Sequence, residues 1–200
     1  MHTRIVTFTK AKNIDGGVDF LRNNVVPLLK EQKGFRGVTA SADRSAGVFG
    51  VLSLWETEAD RDASDSALAK TRQEGLDIVG GELAVETFEQ LVSEVSTPPG
   101  PGSALTVIRV SMDPAKIDEN ISFFKANVLP RIKALPGFQG LRNMINRKTG
   151  QGMVGTVWES PEARQAAEKQ GESLRQEGTA RGVTFGEMSF REIVFADMPS

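Results

Sequence analysis

Residues 23–37 read NNVVPLLKEQKGFRG, and residues 126–140 read ANVLPRIKALPGFQG. Laying Pro27 on Pro130 sets an offset of 103, and the register then runs without a gap from Thr3/Thr106 to about Ile78. The two stretches of chain share Ile5/Ile108, Asn24/Asn127, Gly34/Gly137, Phe35/Phe138, Gly37/Gly140, Trp55/Trp158, Glu56/Glu159 and the run RQEG at 72–75 and 175–178. One residue is then lost, and Phe88/Phe190 and Val92/Val194 match at an offset of 102. A unit of about ninety residues is far longer than the roughly 20–50 of a solenoid repeat. The pattern reads as a domain-sized duplication: a first half at 1–95, a Pro/Gly tether STPPGPGS at 96–103 and a second half at 104–200.

Within each half the hydrophobic period switches. TRIVTF (3–8) is β-branched and aromatic, as strands are. Val18, Leu21, Val25 and Leu28, like Ile117, Ile121, Phe124, Val128 and Ile132, fall at helical spacing. Pro27 and Pro130 come late in that helix and each deletes a backbone donor, which predicts a kink or a restart. After Gly34 or Gly137 the chain reads as a hairpin, VTASAD and GVFGVLSLW around DRSAG, with NRKTG as the second turn. A second helix is expected over 58–74 and 161–177, with Pro161 in its first turn and Gly75/Gly178 as stops. Ala59, Ala63 and Ala67 are expected on its inner face, as are Ala163, Ala166 and Ala167. A last strand, about 84–93 and 185–195, closes each half in the order β-α-β-β-α-β, the ferredoxin-like arrangement. Both helices then cover one sheet face and leave the other bare. The second copy is its natural cover, so the fold class is α+β: two such units in an intramolecular pseudo-dimeric α+β barrel.

Composition removes whole chemistries. The chain has no Cys, no Tyr and one His, His2, so disulfides, thiolate catalysis, Cys/His zinc sites and an internal catalytic triad are not expected. A net charge of −2 gives no general attraction to nucleic acid or to an anionic membrane. No stretch approaches the roughly twenty apolar residues of a membrane span, and MHTRIVTFTK lacks the apolar core of a signal peptide, so a cytoplasmic protein is expected. GQGMVG (150–155) fits the dinucleotide fingerprint G-x-G-x-x-G, but here a turn runs into a strand where the motif needs a strand running into a helix.

The quoted phrases, with DRSAG and VLSLWETEAD in the first half and NRKTG and VGTVWESPEA in the second, resemble the antibiotic biosynthesis monooxygenase-like (ABM) domains of the dimeric α+β barrel superfamily. The resemblance spans nearly all of both halves and implies a small-molecule pocket between sheet and helices. In some members it also implies cofactor-independent oxygenation of aromatic or polyketide-like substrates. The haem-degrading branch relies on a His and a Trp on the second helix, where this chain has no His and carries Asp65 or Glu168 near the Trp position. The polyketide oxygenases use Tyr and His, absent from this interior, and related barrels carry His-x-Pro where Val25 and Val128 stand. No cofactor and no haem or transition metal is therefore expected.

The candidate pocket residues are Asn24, Trp55, Ala63, Asn127 and Trp158; the candidate polar or anion contacts are Glu56, Arg72, Glu159 and Arg175. Each carries a structural alternative. The asparagines can hold a ligand oxygen or satisfy a carbonyl freed by the kink, and the tryptophans can stack on a ligand or anchor the core. The glutamates and arginines can act on a ligand or compensate helix ends. Arg109, aligned with Val6, needs a partner if buried, with Glu192 the candidate, and Arg131 in place of Leu28 reads as a second polar drift at a core-like position, whereas Arg44 and Arg147, in the hairpin turns, are expected to be solvated. The expected partner is a small apolar or aromatic molecule, with no nucleic acid and no membrane, and the pseudo-dimer could pair further as a homodimer. The expected function is small-molecule binding, with cofactor-independent monooxygenation as its catalytic form; the alternative is a non-catalytic interaction or stress-related protein whose barrel interior is filled. A pocket of about 300 Å3 or more with converging polar groups separates the two, and the first half is expected to hold it.

Overall fold

The GFRG and GFQG motifs each convert helix into strand by one device. Gly34 and Gly137 sit at φ 74° and 76°, where a side chain is strained, and the following strand breaks register between Phe35 and Gly37 and between Phe138 and Gly140. In the computed structural model, which describes residues 1–198, this turn enters a strand β2 (Phe35–Asp43) paired with β3 (Val48–Trp55), and correspondingly β6 (Phe138–Ile145) paired with β7 (Gln151–Trp158). Positions 199–200 of the second sequence half lie outside the described residues.

The remaining elements follow the expected order. The first set is β1 (His2–Thr9), α1 (Ile14–Phe20), α2 (Val26–Lys30), α3 (Glu58–Val79) and β4 (Glu82–Val95). The second is β5 (Ala104–Ser111), α4 (Ile117–Phe123), α5 (Leu129–Lys133), α6 (Pro161–Ala180) and β8 (Thr184–Asp197). The prolines do restart the first helix. A π-turn at Leu21–Val25 separates α1 from α2, another at Phe124–Val128 separates α4 from α5, and each proline enters the first turn of the next α segment. Side-chain caps open the long helices, Thr57 accepting from the Asp60 N–H and Ser160 from that of Ala163.

Strands hydrogen bond in the cyclic order β1-β3-β2-β8-β5-β7-β6-β4. The fold is thus two ferredoxin-like units, β4-β1-β3-β2 and β8-β5-β7-β6, in an intramolecular pseudo-dimeric α+β barrel. One compact unit comprises Met1–Thr87 with the chain from Glu192 on, and the other Phe88–Arg191. Accordingly β8 pairs with β2 through Glu192–Asp197, and β4 pairs with β6 through Glu89–Val95. Each unit has its own core, around Phe8, Leu21, Phe49 and Trp55 in the first and Ile117, Leu141, Ile145 and Trp158 in the second.

Three expectations need correction. Gly75 and Gly178 do not end their helices; α3 runs to Val79 before Gly80 at φ 73°, and α6 to Ala180. Mid-helix glycine costs about 1 kcal/mol against alanine, and its use here is room: a Cβ on Gly178 would lie 2.8 Å from the Phe185 ring. Ala59, Ala63 and Ala67 are exposed, and α3 buries Ser64, Leu68, Thr71, Gly75 and Val79 instead. Alanine favours helix on any face, so its spacing carries no orientation. Arg44 and Arg147, expected to be merely solvated, each join two carboxylates: Asp15 (2.7 Å) and Glu192 (3.3 Å) for the first, Asp118 (2.9 Å) and Glu89 (2.6 Å) for the second.

Candidate functional site

Each unit holds a cavity between its sheet and its helices, about 70 Å3 in the first and about 140 Å3 in the second. The roomier one is therefore not in the first half, as the alanine stripe suggested. The cause is side-chain size at matched positions. Phe8 and Phe49 stack at 5.8 Å in the first unit, where the second pairs Val110 with Gly152. Leu68 on α3 corresponds to Gly171 on α6.

A one-residue slip sharpens the contrast. Arg4 pairs with Ser53, and Thr106 pairs with Thr156. The hairpins correspond at 103 but the first strands at 102, and because side chains alternate, that single residue exchanges the faces. Arg4, not Thr3, stands at the place of Thr106. Arg109 matches Thr7 rather than Val6, so it is no polar replacement on the cavity face, and Glu192 receives Arg44 instead. The arginine on an inner face is Arg4, 3% exposed, which the ungapped alignment concealed. Arg131, read as drift from Leu28, is equally a surface exchange: Leu28 is exposed and Arg131 pairs with Glu177 at 2.7 Å.

Of the residues singled out by sequence, the structure brings Trp158, Arg72 and Arg175 to a cavity. Asn24 and Asn127 are exposed on the π-turns, and Asn127 donates to the Phe123 carbonyl at 3.1 Å, the use a disrupted helical ladder gives an amide. Trp55 is wholly buried in the core, donating to Ser53 Oγ at 3.0 Å and meeting Phe35 edge-on. Glu56 is exposed and bonded to Arg36, and Glu159 is exposed beside Gly137. Ala63 faces outward, lining neither cavity. Among the described residues no three His, Cys, Asp or Glu side chains gather where they could hold a metal ion, and no helix is long and apolar enough to cross a membrane.

The second cavity is lined mainly by Ile108, Val110, Ile121, Phe124, Val128 and Leu174, with few polar groups. Asn143, missed from sequence because its counterpart is Ala40, projects from β6 opposite Val154, lines the cavity and is 5% exposed. Its Oδ1 has no hydrogen-bond partner. An unpaired buried acceptor costs about 1–3 kcal/mol. Trp158 lines the same wall, stacked edge-on against Phe138 at 5.9 Å. From α6, Glu168 and Arg175 line the cavity as an ion pair at 2.6 Å, two helical turns apart on one face, and Arg164 and Arg181 border it as well, the Arg181 Nε buried without a partner. Asp65 and Arg72 repeat that pair in the first unit at 2.9 Å.

No protein-family model matches the chain. An uncharacterized protein of Mycobacterium tuberculosis (strain H37Rv) is 27% identical over 162 residues, 81% of this chain and 72% of that protein. A second from the same strain is 26% identical over 134 residues, 67% of this chain and 57% of its own length. Among solved structures, an anthrone oxidase-like protein superposes with a TM-score of 0.69 at 12% identity, covering 98% of this chain and 93% of its own. A proposed monooxygenase from Lactobacillus acidophilus gives 0.68 at 12%, covering 100% and 99%. A ferredoxin-fold protein from Listeria monocytogenes, described as related to antibiotic biosynthesis monooxygenases, gives 0.54 at 10%, covering 100% and 96%. At such identities the likeness is one of fold, and the fold is that of ABM-like proteins.

Proposed function

We propose that the second unit binds one small, mostly apolar molecule of single-ring size that carries a hydroxyl, and that Asn143 receives that hydroxyl. The observation that carries this reading is the unpaired, buried Oδ1 of Asn143 in a cavity whose lining is mainly apolar. Size supports it: an apolar cavity of about 150 Å3 admits benzene, and this one measures about 140 Å3. That is roughly half the volume set above for a drug-sized pocket, so a fused polyketide frame exceeds it. The first unit's smaller cavity, about 70 Å3 and narrowed by its stacked phenylalanines, leaves no room for a ring, and its Trp55 N–H is committed internally.

Titration of the whole chain with phenol and with benzene, followed by calorimetry, tests the reading. Phenol is expected to bind more tightly by about 1 kcal/mol, roughly fivefold, the net worth of one hydrogen bond. Asn143→Leu is expected to erase that preference while keeping benzene. Equal affinities in the parent chain would refute the role of Asn143. Ala167→Phe, projecting into the same space, is expected to prevent binding of either probe. Ala63→Phe, on the exposed face of α3, should change stability by no more than about 0.5 kcal/mol and leave binding intact.

The catalytic form of this proposal is cofactor-independent monooxygenation. Its support is the fold likeness together with a carboxylate and a guanidinium on the cavity wall. With dioxygen as co-substrate, Glu168 can take the proton of a second ring hydroxyl, distinct from the one Asn143 receives, and Arg175 can hold the resulting oxyanion; the electron-rich ring then reduces dioxygen, one oxygen atom becoming a ring carbonyl and the other leaving as water with the C–H and O–H hydrogens, so that a quinone remains. Oxygen-electrode measurements with single-ring phenols decide it; binding without oxygen uptake leaves a binding protein.

A further inference from the structure

The first unit's cavity leaves nitrogens of two guanidiniums unpaired. Arg4 reaches it from β1 with a side chain only 4% exposed, donating from Nη1 to Ser64 Oγ at 2.9 Å and from Nη2 to the Arg61 carbonyl at 2.6 Å. Its Nε is buried without a partner. Arg72 lines the same cavity from α3, and its Nη1 is also buried without a partner. Both guanidiniums lean on one carboxylate, Asp65 Oδ1, at 3.3 Å from Arg4 and 2.9 Å from Arg72. Arg61 lies outside the cavity lining and is itself paired with Glu58 and Asp62, at 3.1 and 2.8 Å. The cavity lining thus holds two cations, Arg4 and Arg72, each with one buried nitrogen that has no partner, while Asp65, which pairs with both, is exposed and outside the lining. Burial, reinforced by Arg72 and Arg61 and opposed by Asp65 and Asp62, holds Arg4 below the ordinary arginine value.

We propose that this cavity is a binding site for a small monocarboxylate of about acetate size. The head group accepts from Arg4 Nε and Arg72 Nη1, completing the charge balance around Asp65, and the short alkyl end rests on Val6, Phe8 and Leu21, which line the same space. Guanidinium donors suit a planar oxyanion. The volume of about 70 Å3, half that of the second cavity, excludes a ring and admits a few heavy atoms. The second unit does not repeat this pair: Thr106 stands at the place of Arg4, and Arg175 faces Glu168 one to one.

The test uses the full chain at constant ionic strength, titrated with sodium acetate and separately with sodium chloride, while the arginine Nε–H resonances are followed by NMR. A saturable shift of the Arg4 resonance with acetate, not reproduced by chloride, is expected. Arg72→Gln is expected to weaken acetate roughly tenfold or more, as loss of a charged hydrogen bond does. If that chain melts earlier than the parent, Arg72→Lys, which keeps the charge but loses the fork, carries the same comparison with a smaller loss. An unsaturable shift, an equal response to chloride, or unchanged affinity in both variants would overturn the proposal and leave water as the partner of the two donors. Phenol binding by the second unit is unaffected in every case, so the two proposals fail separately.

Discussion

Gly171→Leu is expected to raise the melting temperature and to abolish phenol binding in the same chain. Glycine inside α6 costs about 1 kcal/mol of helix stability relative to good helix formers. The leucine would enter the second cavity, where Leu68 already stands in the first. Burying it adds about 1.5–3 kcal/mol of apolar transfer, offset in part by the Arg175 guanidinium, which lies 3.1 Å from the new Cβ and must give way slightly. The net expectation is a gain of about 1–3 kcal/mol, or roughly 2–4 °C per kcal/mol for a chain of this size. Thermal melts and phenol calorimetry on one preparation check both halves of the statement. A variant that is stabilised yet still binds phenol would place the ligand elsewhere.

Trp55→Ala and Trp158→Ala are expected to separate widely although the residues match in sequence. Trp55 is fully buried, its N–H satisfied by Ser53, its ring flanked by Phe35 and by the Arg4 guanidinium at 5.8 Å. Removing it should cost about 3–5 kcal/mol and strip Arg4 of one wall. Trp158 borders a void on one flank, so it forfeits fewer dispersion contacts; a cost of about 2–3 kcal/mol is expected. Urea unfolding of the two variants measures the difference. Equal costs would mean that the second cavity collapses around the deletion.

Much of this molecule was legible in the order of its residues. The paired GFRG and GFQG motifs, the late prolines and the two Pro/Gly-bounded hairpins placed every strand and both broken helices, because those features act over a few residues: a left-handed glycine, a missing donor, a period of two or three and a half. Trp158, Arg72 and Arg175 were singled out as large or charged groups repeated in both halves, and each lines a cavity.

What failed depended on partners distant in sequence. Ala63 looked inward because small residues recurred at helical spacing, but the face of α3 that is buried is the one carrying Leu68, Thr71 and Val79, and only packing against β1 and β3 selects it. Asn143 gave no signal, since an asparagine in a strand becomes a site only when the surrounding wall is apolar and its acceptor goes unanswered. Arg4 was hidden by a slip of one residue, invisible to an ungapped alignment and decisive in a strand, where it exchanges the two faces. Sequence by itself thus determined the elements, their order and the fold class of this protein, all governed by local backbone preference and hydrophobic period. Only the tertiary structure decided which cavity stays open and what lines it, because cavity volume and unpaired polar atoms are what remains after side chains from separate strands and helices have packed.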